Sequence, residues 1–175
     1  EVTIWQLLHH TSGVPDYLQI TYLSGYHNNQ YYTDKDVLRI LTRVKTLNFT
    51  PGTDEIYSNS NYWLLEQLVG RVSGMSIIEY ASKHLFKPLK MMNTQYVKNP
   101  NLIIKNKASG YSLNRDGELG VVIRNVPVLG GGGVSSSIKD MSLWMHECLE
   151  QKLLGKKLWD KMKSPYQEVG TEKYY

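Results

Sequence analysis

The sequence predicts a mainly α-helical domain with one small β-hairpin. Three observations carry that reading. Apolar residues recur at helical spacing in six segments, most of them preceded by a Ser, Thr or Asn able to cap a helix. Only residues 111–123 read as paired strands, folded around an Asp-Gly turn. Strands and helices do not alternate along the chain, which excludes a doubly wound parallel sheet.

Taken in order, Thr3 caps a first helix carrying Ile4, Leu7 and Leu8, and Gly13 stops it. Residues 14–32 are rich in Gly, Asn, Ser and Tyr and are expected to form a long surface loop with at most short helical turns. Thr33 with Asp36 opens a second helix, whose stripe is Val37, Ile40, Leu41 and Val44. Pro51-Gly52 turns the chain, and a third helix starts at Tyr57-Ser58-Asn59. Leu64, Leu65, Leu68, Val69 and Val72 are expected to form its buried face, and Gly74 closes it. Ser76 with Glu79 starts a fourth helix that Pro88 ends. Four glycines, 130–133, precede a fifth helix capped by Ser137 with Asp140. Leu143, Trp144 and Cys148 share its apolar face, so Cys148 is expected to be a small buried thiol. A last amphipathic helix covers 156–162.

Composition bounds the function classes. With 175 residues, 41% hydrophobic and 21% charged, the chain has the make-up of one soluble globular domain. It contains no signal segment and no apolar run near the roughly 20 residues that span a bilayer. The single cysteine excludes an internal disulfide and any multi-cysteine metal site. The five histidines show no HExxH or His-x-His spacing, so no metal is assigned; no cofactor is assigned either, because the glycine run lacks the Lys-Ser or Lys-Thr of a phosphate loop. Net charge is +4, with Lys83, Lys87, Lys90, Lys98, Lys105 and Lys107 in a stretch free of Asp and Glu. That stretch lacks arginine and has few aromatics, so it is read as a solvated surface and no nucleic-acid partner is assigned.

Two patterns remain for nucleophilic chemistry. Ser136-Ser137-Ile138-Lys139 is the one Ser-x-x-Lys, but Ser136 stands where a helix needs a cap, and the capping role is preferred. Tyr-x-Asn occurs as Tyr26-His27-Asn28 and as Tyr57-Ser58-Asn59. Only the second lies between a Pro-Gly turn and a strong helix, a rigid setting able to hold a phenol and an amide in fixed relation. Tyr57 is therefore the candidate catalytic residue and Asn59 the candidate substrate-binding residue. A tyrosine acts as a base near neutrality only beside positive charge, which would have to come from elsewhere in the fold.

Leu7-Leu8 with His10-Thr11-Ser12-Gly13, Phe49-x-Pro51-Gly52 and Tyr57-Ser58-Asn59-x-x-Tyr62-x-Leu64-Leu65 resemble the class C β-lactamase and penicillin-binding-protein family of serine hydrolases. The likeness continues through Phe86-Lys87-Pro88-Leu89-Lys90-Met91 with Thr94, then Gly132-Gly133-Val134-Ser135-Ser136, Asp140-Met141 and Trp144. The resemblance implies that residues 1–175 form a single helical subdomain of the serine β-lactamase/DD-peptidase fold, lacking the flanking α/β-sheet portion. It implies an acyl-enzyme mechanism on β-lactams, D-Ala-D-Ala peptides or esters, with Tyr57 and Asn59 as the Tyr-x-Asn element. The nucleophilic Ser-x-x-Lys is expected before Glu1, and the Lys-Thr-Gly or His-x-Gly element after Tyr175. Accordingly the chain alone is expected to be inactive, to expose apolar surface, and to self-associate or have a partly disordered loop over residues 14–32. A small-molecule or peptidoglycan-peptide substrate is implied, with the parent protein periplasmic, extracellular or membrane-anchored. A non-catalytic binding or sensing module that lost the nucleophile is the alternative.

Overall fold

The computed structural model describes residues 1–25, 32–99, 101–114, 116–122 and 128–164, with the backbone of 168–169 and 172–173. Its helices are α1 (Ile4–Leu8), α2 (Tyr17–Leu23), α3 (Asp34–Leu41), α4 (Asn59–Ser73), α5 (Ile77–Ala81), α6 (Ile138–Glu150) and α7 (Lys156–Lys163). A π-helical turn, Ser82–Phe86, continues α5. The caps follow the sequence: Thr3 and Gln6, Thr33 and Asp36, and Ser76 and Glu79 form reciprocal capping boxes. Ser137 caps α6, and Gly74 ends α4 in the left-handed conformation. No helix among the described residues is long and apolar enough to cross a membrane.

The strands are short and antiparallel. The predicted hairpin is present as β2 (Tyr111–Leu113) against β3 (Leu119–Val121), with Tyr111 opposite Val121. Two further pairs add to it. β1 (Gln95–Tyr96) pairs with β4 (Val134–Ser135) across some 40 residues, and β5 (Glu168–Val169) pairs with β6 (Glu172–Lys173). The first of these returns the chain after the glycines to the region that follows α5.

The core is small. Tyr17, Tyr32, Val37, Trp63 and Val128 are buried together, with Ile40, Leu41 and Leu64 packed against them. Trp63 sends its indole N–H to Asp34 Oδ1 at 3.0 Å, so the core also fixes the start of α3. The segment 128–133 reaches this core by crossing α4 closely. At Gly130, φ is +93°, and a Cβ would lie 2.5 Å from the Tyr62 carbonyl oxygen. Gly132, by contrast, faces open space, so close packing does not explain that glycine.

Several expectations are corrected. Within the expected loop, residues 17–23 form a seven-residue helix longer than a single turn, because Asp16 caps them by accepting from Leu18 N. The α3 helix ends at Leu41, so Val44 lies beyond it. Cys148 is half-buried, not buried. The expected buried face of α4 is only partly covered: Leu64, Leu65, Leu68 and Val69 are half-buried and Val72 is 85% exposed, while the residues buried on that helix are Ser60, Asn61 and Trp63. On α6 the predicted Leu143, Trp144 and Cys148 face is half-buried, the buried residues are Asp140 and Glu147, and Ile138, Met145 and Leu149 face outward. Asp140 accepts from Asn93 N (2.6 Å) and Thr94 Oγ1 (2.8 Å). Burial opposes its charge, but these hydrogen bonds win and hold its carboxyl below the usual range.

The open face of α4 walls a groove of about 520 Å³ with Leu65, Leu68, Val69 and Val72, closed on its sides by Leu8 and Ile77. Glu66 borders the same groove. Its Oε2 is buried without a hydrogen-bond partner among the described residues, and burial, with the Asp34 charge, pushes its carboxyl up to about 7.

The Gly130 crossing gives a stability test. Gly130→Ala adds a Cβ that meets backbone at 2.5 Å and forces a left-handed φ on a non-glycine residue. It is expected to cost about 2–4 kcal/mol in urea unfolding. Gly74→Ala, with φ +69° and open space at the Cβ position, is expected to cost only about 1–2 kcal/mol. Equal costs would show that 128–133 does not pack on α4.

Candidate active site

The first turn of α4 carries four polar residues, and each is held by the loop that follows α1. Ser12 Oγ donates to Asn61 Oδ1 at 2.6 Å, and both residues are fully buried. Asn61 Nδ2 donates to His10 Nδ1 at 3.2 Å, and Ser58 N donates to the same nitrogen at 3.2 Å. Two donors on Nδ1 require its lone pair, so the imidazole is neutral with its proton on Nε2. Burial, and then the neighbouring His9, lower the His10 pKa from 6.5 against the opposing pull of Asp16. Ser60 Oγ donates to Pro15 O (2.6 Å) and accepts from Tyr17 N (2.9 Å).

The same loop is strained into place. His10 has φ +58°, an uncommon conformation for a residue with a side chain. Its carbonyl accepts from Ile56 N at 3.1 Å, and Thr11 O accepts from Gly52 N at 2.8 Å. Gly13 has φ +71°, and a Cβ there would stand 2.3 Å from Phe49 O. The Pro51-Gly52 turn and the 10–13 loop are thus clasped together, and the chain enters α4 at Tyr57 from that clasp. Thr11 Oγ1 and Ser58 Oγ are buried in it with no hydrogen-bond partner among the described residues.

Tyr57 and Asn59 stand on this platform and face outward. Tyr57 is 60% exposed. Its ring lies against His10, centroids 4.5 Å apart, and its hydroxyl donates to Asn59 Oδ1 at 3.2 Å. Asn59 Nδ2 donates to Asp16 Oδ2 at 2.8 Å. The glycine run passes close by: a Cβ on Gly131 would sit 3.4 Å from Asn59 Oδ1. The two sequence-predicted site residues are therefore in direct contact, with an exposed phenol and an amide fixed beside it. Such a pair can relay a proton and bind an amide.

Other patterns fare differently. Tyr26-His27-Asn28 lies outside the described residues. Ser136 precedes the Ser137 cap instead of entering α6, and its hydroxyl shares a 2.8 Å hydrogen bond with Thr94. Ser136 and Lys139 are both exposed. Of the clustered lysines, Lys98 bonds Asp34 at 2.6 Å. No group of residues suited to a metal ion occurs among the described residues. Sequence reasoning missed the roles of His10, Ser12, Asp16, Ser60 and Asn61. The available signal was their setting: small polar residues filling helix positions where apolar ones are the rule.

The candidate site is thus a phenol–amide pair raised on a polar clasp within a mainly helical fold. Residues 1–173 match the family model Beta-lactamase, and the chain belongs to that family. It is similar to the D-aminopeptidase of Brucella anthropi, 27% identical over 142 residues that cover 81% of this chain and 27% of that protein. Among solved structures, the penicillin-binding protein from Bacillus halodurans has a TM-score of 0.82 at 28% identity, covering 99% of this chain and 54% of that one. The octameric penicillin-binding protein homologue from Pyrococcus abyssi has a TM-score of 0.81 at 27% identity, covering 98% and 40%. The fold is that of serine hydrolases of this family, and the chain spans about a quarter of the length of the curated relatives it matches.

The neutral His10 makes the clasp acid-sensitive. A histidine whose folded pKa lies below 6.5 binds protons more readily when unfolded, so its contribution is complete above that pH. As pH falls through the lowered folded value, the contribution is lost. Chemical denaturation at pH 7.5 and pH 5 is expected to show a stability drop that His10→Asn reduces, since an amide oxygen can accept from Ser58 and Asn61 without titrating. An equal drop in the variant would overturn this account.

Proposed function

We propose that this chain forms one wall of a serine hydrolase site that works through an acyl-enzyme, with Tyr57 and Asn59 as its Tyr-x-Asn element. The observation that carries the reading is the Tyr57–Asn59 contact on a rigid, polar, partly unsatisfied platform. In this reading Tyr57 relays the proton of a nucleophilic serine that residues outside this chain supply, and Asn59 holds the amide of the substrate. The immediate neighbours of Tyr57 are a neutral imidazole and an amide, so the cation that makes a phenol basic comes from the same outside segment. The substrate class favoured is a D-configured aminoacyl amide or peptide, because relatives of this chain include D-aminopeptidases; β-lactams and esters follow from the shared acyl-transfer chemistry. Cell-wall peptides outside the cytoplasm fit this class, and no cofactor is called for.

The test uses the complete polypeptide carrying this chain. It is expected to release p-nitroaniline from D-alanine p-nitroanilide or to be acylated by a fluorescent penicillin. Tyr57→Phe removes the proton relay and is expected to lower kcat by about 10²–10⁴-fold. Asn59→Ala is expected to raise KM as well. Wild-type rates in Tyr57→Phe would sink the assignment, and a complete protein with neither activity would favour a binding module.

The open face of α4 is, in the same reading, where the rest of the hydrolase packs. Produced alone, residues 1–175 are expected to cover that apolar surface by self-association. Light scattering is expected to report oligomers that Leu68→Glu with Val72→Glu shifts toward monomer. A cooperatively melting monomer of the unmodified chain would contradict this.

A further inference from the structure

Asn59 can do its work in two orientations that differ by a half-turn of its amide. One presents the carbonyl oxygen to Tyr57 and the other presents the amino group. The two place opposite partial charges beside the phenol, so a catalyst that relies on this pair needs one of them excluded. Within the pair itself nothing excludes either, because a tyrosine hydroxyl both donates and accepts.

Asp16 makes the choice. It is 7% exposed, and its two carboxylate oxygens have separate tasks. Oδ1 accepts from Leu18 N at 2.9 Å and caps α2, while Oδ2 accepts from Asn59 Nδ2 at 2.8 Å. A carboxylate only accepts, so the amino group of Asn59 must face Asp16 and Oδ1 must face the Tyr57 hydroxyl. No lysine or arginine bonds the Asp16 carboxylate among the described residues; the described ion pairs involve other acids. Its full charge therefore serves the two N–H donors, a stronger contact than a neutral hydrogen bond.

Asp16 is itself held in register with Asn59. The residues on either side of it, Pro15 and Tyr17, are both bonded to Ser60 Oγ, through the carbonyl of one and the N–H of the other. Ser60 is fully buried and directly follows Asn59 on α4. One hydroxyl thus pins the backbone around Asp16 to the very turn that carries Asn59. The clamp leaves the carboxylate little freedom to lie anywhere but against the amide.

We propose that Asp16 is the positioning residue of this site, fixing the Asn59 amide with its oxygen toward Tyr57, and that Ser60 is the clamp that places Asp16. This rests on the Tyr-x-Asn reading for its catalytic consequence, though not for the contact itself. Asp16→Ser separates positioning from folding. A serine still caps α2 through its hydroxyl, but it has no second oxygen to offer Asn59.

The experiment follows the Asn59 side-chain amide by 15N–1H spectroscopy in the complete polypeptide, assigned by its loss in Asn59→Ser. In the unmodified protein one Nδ2 proton is expected downfield and slow to exchange. In Asp16→Ser that signature is expected to vanish while the thermal midpoint stays near that of the unmodified protein, and Ser60→Ala is expected to weaken it. On an amide substrate, Asp16→Ser is expected to lower kcat about 10–100-fold with a much smaller change in KM, as for a misplaced catalytic group. An unchanged Asn59 signal, or an unchanged kcat once the signal is lost, overturns the proposal. A protein that shows the signal change but never hydrolyses anything overturns the functional reading instead and leaves the hold of Asp16 on Asn59 standing.

Discussion

Everything near the candidate site depends on the first turn of α4 being tied to the loop after α1 by buried polar side chains. Ser12, Asn61 and His10 form one chain of hydrogen bonds, and Ser60 forms a second with Pro15 and Tyr17. Buried polar groups cost stability unless they are satisfied, and satisfied networks admit one geometry only. An apolar joint at this place would have been easier to fold and tolerant of sliding. The polar joint is not tolerant, and Tyr57 and Asn59 inherit its precision because they flank it in sequence.

That joint also explains why so little of the molecule is an ordinary core. The inward side of α4 spends its first turn on Ser60 and Asn61, leaving Trp63 and the half-buried Leu64 to meet Tyr17, Tyr32 and Val37. Leu65, Leu68, Val69 and Val72, one face further round, line the groove with Glu66, Leu8 and Ile77. α6 repeats the arrangement. Its acids turn inward to bind the 93–94 turn and, through Glu147, the N–H groups of Leu153 and Leu154 with the indole of Trp159. Its methionines and Leu149 turn outward.

Local signals in the sequence were easily read. Thr3, Thr33, Ser76 and Ser137 start the helices they were expected to start, and Gly74 stops α4, because caps act within one turn and need no tertiary information. The rigid helix-start setting of Tyr57 and Asn59 was legible in the sequence. The buried side of α4 was not, because periodicity locates an apolar stripe but does not say which body will cover it. α2 was hidden for a related reason: its start depends on Asp16, whose place is set by Ser60, 44 positions along the chain. The missed site residues share that property, each being defined by a partner distant in sequence.

The electrostatics of the site point the same way as its packing. His10 is held neutral by two donors on Nδ1 and by burial, so it offers the Tyr57 ring a stacking surface and no charge. Asn59 offers an amide dipole whose direction Asp16 dictates. Among the described residues that bond the pair, the one carboxylate is that of Asp16, which lies behind Asn59 and fixes its amide oxygen toward the Tyr57 hydroxyl.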